Sequence, residues 1–431
     1  MVVNKVERYD VIIVGGGISG LTVANELSRH SYCRIMVLEK GATYQERQQT
    51  VDSNLLEGLG GAGTIGGGKL CYPPASGAIW RKTGMQSPNY LRSLLQCYMD
   101  LSHTQWVCNN ETIEGKYDCN FQYRYYEKKY VSELITKTEM AQFIQGLIDK
   151  AMNNSVVIRT GCKMIHYLCN RDEKQVVYTD KTGCTRSATT RHLVFACGRS
   201  AAEQLVELLP KSYIKQQPAD LGIRLVFPRR SQSIFAHVGK DVKLKAHYGN
   251  ILVRTFCVCS GGTLARIHYH GVDYFDGHFD DKISTEVNLG ILARSPDCVG
   301  TKAAIDFIRS YQDMVNKKIS LVWFLKNWPD LAKTDTHREL FAAIAQFSKH
   351  LLDSGKFAAD PEEITVAMPS VDRYSPIIKT DRNFCTNDLG VWVVGDAAGI
   401  SRGFVQSFWS GYCSAASIAG ELSANKRSVI L

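Results

Sequence analysis

Apolar positions along the chain come in short blocks that switch between strand-like and helix-like spacing. Val11–Val14 is an unbroken apolar run, the pattern of a strand buried on both faces of a parallel sheet. After the glycines at 15–17, ISGLTVANELSRH takes up the three-to-four spacing of a helix, and Arg34–Leu38 predicts a second strand that ends at Glu39. Residues 138–152 predict another helix, opened by Thr138 with the capping position at Ala141 lacking a carboxylate. It leads into Ser155–Arg159, Lys163–Leu168 and Gln175–Tyr178, which are expected to form a three-stranded meander. An apolar strand within 191–203 breaks at Cys197 and Gly198, residues 301–315 and 338–352 carry helical stripes, and 389–422 reads as a strand, a Gly-Asp turn and a long helix of small residues.

The chain has 431 residues, enough for two domains or one with a large insertion, and its balance of 45% hydrophobic to 22% charged residues excludes a disordered or collagen-like protein. No apolar run approaches the roughly 18 residues needed to span a bilayer, and VIIVGGG follows MVVNKVERYD without a cleavage-site pattern, so a soluble cytoplasmic protein is expected. The fourteen cysteines include no CxxC pair, and reduced thiols are expected. Cys257 and Cys259 stand two apart in TFCVCSGG, where alternation puts both on one strand face, as buried structural thiols or, alternatively, as redox or ligand groups. Net charge is +9, and between Arg224 and Arg254 seven Lys or Arg oppose one acid, Asp241. Such a patch attracts a phosphorylated cofactor, an anionic substrate or nucleic acid, or is simply a solvated face; with no RNP-like motif, zinc-finger spacing or basic helix, nucleic acid is the least expected partner.

Gly15, Gly17 and Gly20 fit the GxGxxG fingerprint between a strand and a helix. The first glycine allows the tight turn, the second lets backbone approach a pyrophosphate, and the third permits close helix packing. The helix N-terminus at Ile18 and Ser19 offers N–H groups and a positive dipole end to phosphate. Glu39, 19 residues beyond Gly20, is placed to accept from the ribose hydroxyls and repels a 2′-phosphate, so FAD or NAD is expected rather than NADP. The other end of the chain favours FAD. Asp396, beside Gly395, is expected to bind a ribityl hydroxyl, and the helix start at Gly403, Phe404 and Val405 to offer N–H groups to the flavin pyrimidine. Ala196, Cys197 and Gly198 are expected where a strand returns to the dinucleotide, and Met164 beside the adenine.

These motifs resemble the FAD-dependent dehydrogenases grouped as uncharacterised NAD(P)/FAD-dependent oxidoreductases, or FAD-dependent protein C-like. The similarity includes Arg47 after the Glu39-Lys40-Gly41 turn and LGGAGTIGGGKL at 59–70, which contains Gly60, Gly61, Ala62, Gly63 and Lys69. It extends to DLGIRLVFP at 220–228, VRTFCVCSGG at 253–262, VDRYSPI at 371–377 and the GD…RGFVQS…SG ending. The resemblance implies an α/β fold: a Rossmann-like FAD-binding domain from 1–70, 138–215 and 371–431, with an inserted mixed α+β substrate-facing domain from 71–137 and 216–370. It also implies that Lys40, Arg47 and the 60–63 segment lie at the cofactor. Where the family has GEG and SDGK, this chain has Gly395-Asp396-Ala397 and Gly66-Gly67-Gly68-Lys69.

With one GxGxxG and no second nucleotide module in 216–370, the expected activity is hydride transfer between a small anionic or aromatic molecule and flavin N5. Oxygen, a transient NAD(P)H or an electron-transfer protein would reset the flavin. A flavin monooxygenase or halogenase, an RNA-binding or RNA-modifying flavoprotein and a lipid-chain reductase are the alternatives. Lys69 is a candidate to stabilise charge on reduced flavin, or is an exposed lysine; Arg402 is a candidate for an anionic substrate, and Arg254, beside the FCVC strand, is a further catalytic candidate. Alternation puts Arg266 and His268 on one strand face, His268 being either a base or structural. His268, His270, His278, Asp273 and Asp276 match no zinc spacing, and no metal is expected. The Tyr-rich stretch 122–130 reads as a stacking platform or as packed surface tyrosines.

Overall fold

The structure is a computed structural model describing residues 6–30, 33–49, 55–62, 68–102, 106–108, 130–169, 173–238, 240–269, 271–280, 282–372 and 374–430. Gly63, Gly66, Gly67, His270 and most of 122–130 lie outside the described residues.

The first sheet has seven strands. Glu7–Val14 is flanked on one side by Ile35–Leu38 and then Val157–Arg159, and on the other by Thr185–Phe195, all parallel. Val391–Val393 adds a further parallel strand beside the end of Thr185–Phe195. The parallel strands are apolar on both faces, as in Ile12, Ile13, Met36 and Val37, because helices cover them. Helix Phe404–Ile430 lies against helix Ile18–Ser28, and its small residues allow this: a Cβ on Gly411 would stand 2.5 Å from the Ser19 carbonyl oxygen.

The meander differs from expectation. Residues Val157–Arg159 pair with Ile35–Leu38 in the parallel sheet, so the antiparallel strands are Lys163–Cys169, Lys174–Thr179 and the first half of Thr185–Phe195. An 11-residue strand makes this possible, since its start serves the meander and its end the parallel core. Helix Lys137–Asn153 is capped one position pair earlier than expected, by a reciprocal box of Thr136 and Glu139.

The second sheet has six strands, in the spatial order Lys245–Tyr248, Ile251–Ser260, Glu286–Arg294, Asp220–Pro228, Thr365–Asp372 and Ile319–Ser320, all antiparallel. Helices Gly300–Ser310, Leu321–Leu331 and Asp335–Asp353 supply Phe307, Phe324, Phe341, Ile344 and Phe347 to a core with Ile223, Val253 and Ile291. Period-two alternation sends Ile251 and Val253 into that core and leaves Leu252, Arg254 and Phe256 on the other face.

The cores divide the chain differently from the expected boundary at residue 71. Leu70, Tyr72, Ile79, Trp80, Leu91, Leu95 and Leu101 join the core of the first sheet, along with Ile135. The amphipathic helix Pro88–Gln96 places Leu91 and Leu95 four apart on one buried stripe, which this sheet's helical layer covers. The buried apolar residues of 72–101 named above and Ile135 thus pack with the first sheet, and the second core is drawn from residues between Ala219 and Tyr374.

Candidate functional site

Two cavities adjoin between the sheets. The first, of about 320 Å³, runs along the carboxyl ends of the parallel strands and is lined by Gly15, Gly17, Ile18, Ser19, Glu39, Lys40, Gly61 and Ala62, then by Met164, Ala196, Cys197, Gly198, Asp396, Gly403 and Phe404. This is where an open parallel sheet binds ligands.

The glycines divide their labour by geometry. Gly15 has φ +108°, and a Cβ there would stand 2.4 Å from the Ala196 oxygen of the neighbouring strand. A Cβ on Gly20 would stand 2.1 Å from the Gly15 oxygen, so this glycine seats the helix on the strand. Gly17 is different: φ is −78°, and a Cβ would meet only Gly61 Cα, at 3.6 Å. No side chain caps the helix that Gly17 opens, leaving its first N–H groups directed at the cavity.

Glu39 is buried and wired into this loop. One carboxylate oxygen accepts from Gly16 N–H at 2.8 Å; the other accepts from Gly41 at 2.8 Å and Gly58 at 3.1 Å. A carboxylate has about four acceptor sites, so the oxygen bonded to Gly16 keeps capacity for a ribose hydroxyl while its fixed bonds orient it. Lys40 pairs with Glu57 at 2.5 Å. Met164 offers its carbonyl to Gln204 at 2.7 Å, which fixes the backbone at that wall. Burial pushes the Cys197 thiol up to about 12, so it is a neutral wall group.

Arg47, Gly60, Lys69, Gly395 and Val405, expected at the cofactor, do not line the first cavity. Arg47 lines neither cavity: its buried guanidinium donates to the carbonyls of Gly58, Leu59 and Gly61, at 3.2, 2.8 and 3.0 Å, and so holds the 55–61 loop from behind. Gly60 is occupied in a bridge to Gly17, with its N–H on Gly16 oxygen at 2.8 Å. Gly395 donates to Ser410 Oγ at 2.8 Å, and the Val405 side chain is in the core. These residues shape the cleft through backbone, which fingerprint spacing does not distinguish from direct contact.

Asp396 stands at the far end of the cleft, 3.3 Å from Arg199. Burial pushes its carboxyl above the ordinary value, and Arg199 offsets this in part. Arg199, directly after the Ala196-Cys197-Gly198 break, escaped the sequence reading; its position in the turn that returns to the cleft was the available signal.

The second cavity, of about 430 Å³, shares Leu56, Ala62, Arg199, Gly403 and Phe404 with the first. Its wall is the face of the second sheet bearing Leu252, Arg254 and Phe256, closed by Gly68–Cys71, Ala75, Met140 and Gln406 from the other domain. The wall is strongly cationic. Arg254 donates to Asp220 at 2.9 Å and to Asp372 at 2.5 Å; Arg294 shares Asp220, and Arg402 shares Asp372. Lys243 and Lys69 meet at Asp241, at 2.8 and 3.4 Å, and Tyr130 donates to the same carboxylate. Burial pushes Asp241 up, but Lys243 and Lys69 outweigh it and hold the carboxyl well below its usual range. Lys243, Arg254 and Arg402 also surround the Phe256 ring at 5.4, 4.9 and 5.5 Å from its centre.

Lys69 is thus a buried ion-paired lysine and not an exposed one. The basic run 224–254 is a solvated face only in part: Arg224 is fully buried and Lys243, Lys245 and Arg254 line the cavity, whereas Arg229 and Arg230 are exposed, Arg230 pairing with Glu363 at 2.6 Å. His268 does share a face with Arg266, but that face looks to solvent: both pair with Asp273, and His268 lines neither cavity. Among the described residues no group of three or more His, Cys, Asp or Glu is placed to hold a metal ion, and no helix is long and apolar enough to cross a membrane.

One comparison with known proteins falls on the glycine loop and Glu39 of the first cavity. Residues 13–44 match the model of the NAD(P)-binding Rossmann-like domain. An uncharacterised protein of Methanocaldococcus jannaschii is 29% identical over 106 residues, covering 22% of this chain and 28% of that protein, so the match spans little more than a quarter of that relative. The chain is also similar to the solved structure of the myxobacterial chondrochloren halogenase, described as a variant of FAD-dependent halogenases: identity is 14%, TM-score 0.45, and coverage 97% of this chain and 76% of that one. A flavoprotein/dehydrogenase from Cytophaga hutchinsonii gives 12% identity, TM-score 0.44, and coverage of 97% and 79%.

Proposed function

We propose that the protein is an FAD-dependent oxidoreductase whose substrate is a small organic anion held in the second cavity. The observation that carries this reading is the shared wall: the dinucleotide cleft opens at Ala62, Arg199, Gly403 and Phe404 directly onto a basic chamber. The cleft's own chemistry fits the cofactor. The uncapped helix start at Gly17–Ser19 suits a pyrophosphate, Glu39 suits an adenosine ribose, and Asp396 suits a ribityl hydroxyl.

When bound, FAD supplies a site that accepts or donates hydride. The chain's residues do the rest. Seven cationic side chains in the chamber wall face three carboxylates there, or five once Asp220 and Asp396 behind the wall are included. The surplus of positive charge along the chamber wall favours an anion. Arg254 and Arg402 are held in place by Asp220 and Asp372, so they offer guanidinium groups without a large ordering cost. Phe256 gives the same wall an apolar face for a planar substrate. Lys69 holds positive charge between the two domains, where it favours negative charge accumulating at the cavity junction.

The test is the visible spectrum of the purified protein, followed by NADH or NADPH addition without oxygen and then by a panel of small carboxylates. Bleaching by a carboxylate, lost in Arg254→Met and Arg402→Met, supports a substrate-reduced dehydrogenase. Bleaching by NAD(P)H, with oxygen consumption rising only when a substrate is present, replaces it with the monooxygenase or halogenase reading. A colourless protein that takes up no added FAD overturns the proposal.

A further inference from the structure

The strand Ile251–Ser260 keeps regular register with Glu286–Arg294 up to Phe256, which faces Gly290, and resumes at Cys259, which faces Asn288. Cys257 and Val258 therefore share the place opposite one residue, a β-bulge of the kind that re-aims side chains beside active sites. Cys257 has φ +45°, a left-handed conformation that a residue with a side chain rarely adopts. In a regular strand, residues two apart are separated by roughly 6.6 Å. The bulge brings the two sulfurs to 3.7 Å.

Both thiols line the second cavity and differ in exposure: Cys257 is half-buried and Cys259 is buried. Room for Cys259 depends on Gly277, where a Cβ would stand 2.5 Å from its sulfur. Two cations hold the bulge: Arg224 donates to the Cys257 carbonyl at 2.7 Å and lies 3.6 Å from Cys259 Sγ, and Lys69 donates to the Val258 carbonyl at 2.7 Å. The Val258 N–H is taken by Asp241 at 3.0 Å, so the bulge is bonded on both sides of its backbone. The Cys259 thiol donating to Cys257 pushes the latter's pKa down; burial and Asp276 oppose this, and Arg224 and Lys69 assist it. A half-buried, low-pKa thiol at a cavity wall, in contact with a second, more deeply buried thiol, is the arrangement of an attacking and a resolving cysteine.

We propose that Cys257 and Cys259 form a reversible disulfide in the wall of the second cavity, exchanging two electrons with a small-molecule disulfide. The Cys257 thiolate attacks one sulfur of R–S–S–R, forming a mixed disulfide and expelling one RS⁻. Cys259, losing its proton, then attacks Cys257 Sγ and expels the second RS⁻. One protein dithiol and one small disulfide become one protein disulfide and two small thiols; two electrons pass to the small molecule, and the two thiol protons end on its products. The step needs nothing bound in the dinucleotide cleft, so its failure and that of the flavin reading are scored separately.

The experiment equilibrates the full-length protein across ratios of reduced to oxidised glutathione, quenches with acid, alkylates and digests with trypsin. Residues 255–266, TFCVCSGGTLAR, form one peptide holding both cysteines and no other. At the oxidising end this peptide is expected unalkylated and lighter by two hydrogen atoms, and at the reducing end doubly alkylated. Cys259→Ser is expected to accumulate glutathione on Cys257, and Cys257→Ser to leave Cys259 unmodified. The proposal is overturned if the peptide remains doubly alkylated at every ratio while the exposed Cys97 and Cys169 take up glutathione. It is equally overturned if Cys257 is found joined to Cys71, whose thiol lines the same cavity.

Discussion

Replacing Gly15 and Gly17 separately by alanine separates what the glycine loop does for folding from what it does for binding. At Gly15 the new Cβ would stand 2.4 Å from the Ala196 oxygen and 2.6 Å from the Ala196 carbonyl carbon, both backbone atoms of the adjacent strand, and φ is +108°. Backbone strain of about 1–3 kcal/mol and overpacking of similar size together give a loss of about 3 kcal/mol or more. At roughly 2–4 °C per kcal/mol for a unit of 150–250 residues, the melting temperature falls by about 6–12 °C. At Gly17 the φ of −78° suits alanine, and the nearest atom is Gly61 Cα at 3.6 Å. The loss of about 0.5–1 kcal/mol for alanine at a helix N-cap is offset by about 0.4–1 kcal/mol of reduced unfolded-state freedom, so stability is nearly unchanged. The methyl instead takes the space where phosphate meets the free N–H groups. Losing one charge-assisted hydrogen bond, worth about 1.5–3 kcal/mol, weakens FAD binding roughly 10- to 100-fold. Thermal melts of the apoprotein and FAD fluorescence titrations read the two effects. Equal FAD affinity in Gly17→Ala and wild type, or wild-type melting of Gly15→Ala, would refute the reasoning.

Burial, with Lys174 adding to it, pushes His192 down to about 4. The unfolded chain then binds a proton near pH 6.5 that the folded chain refuses, so stability is full above that pH and falls as pH drops toward 4. Between pH 7.5 and 5 the loss from this residue is about 2 kcal/mol, and urea melts of His192→Phe should show a correspondingly shallower pH slope. Thr136→Ala removes the capping box of helix Lys137–Asn153 and should cost about 1 kcal/mol by urea unfolding. Arg92→Ala strips a 2.7 Å partner from the fully buried Glu133, which also accepts from the Tyr72 hydroxyl at 2.6 Å. Because Arg92 is itself partly exposed, the expected cost is about 2–3 kcal/mol, below the roughly 3–5 of a fully buried pair; an unchanged melting temperature would contradict it.

The nucleotide cleft was legible because its signals are local. Val11–Val14, the three glycines and Glu39 fix a strand, a turn and the next strand end within 30 residues, and each residue type has one steric or electrostatic reason to be there. The helical stripes of 301–352 were legible for the same reason, since period alone defines a face to bury. The strand break at Ala196–Gly198 and the Gly-Asp turn at 395–396 were placed by their order along the chain, and both reach the cleft.

Tertiary structure decided which groups meet. Arg254 finds Asp220, 34 residues earlier, and Asp372, 118 later, so its role in a shared guanidinium–carboxylate cluster is written in no local pattern. Arg47 carries the same charge as Arg199, yet one clamps a loop from behind and the other faces both cavities, because burial direction depends on elements far along the chain. Strand alternation placed Cys257 and Cys259 on one face, but the bulge opposite Leu289 brought their sulfurs together at the cavity wall. The sequence by itself determined the elements and the dinucleotide-type loop, whose free energies are set by neighbours a few residues away. The register of the second sheet, the pairing of its buried charges and the chamber beside the cleft arose only when distant segments closed on one another.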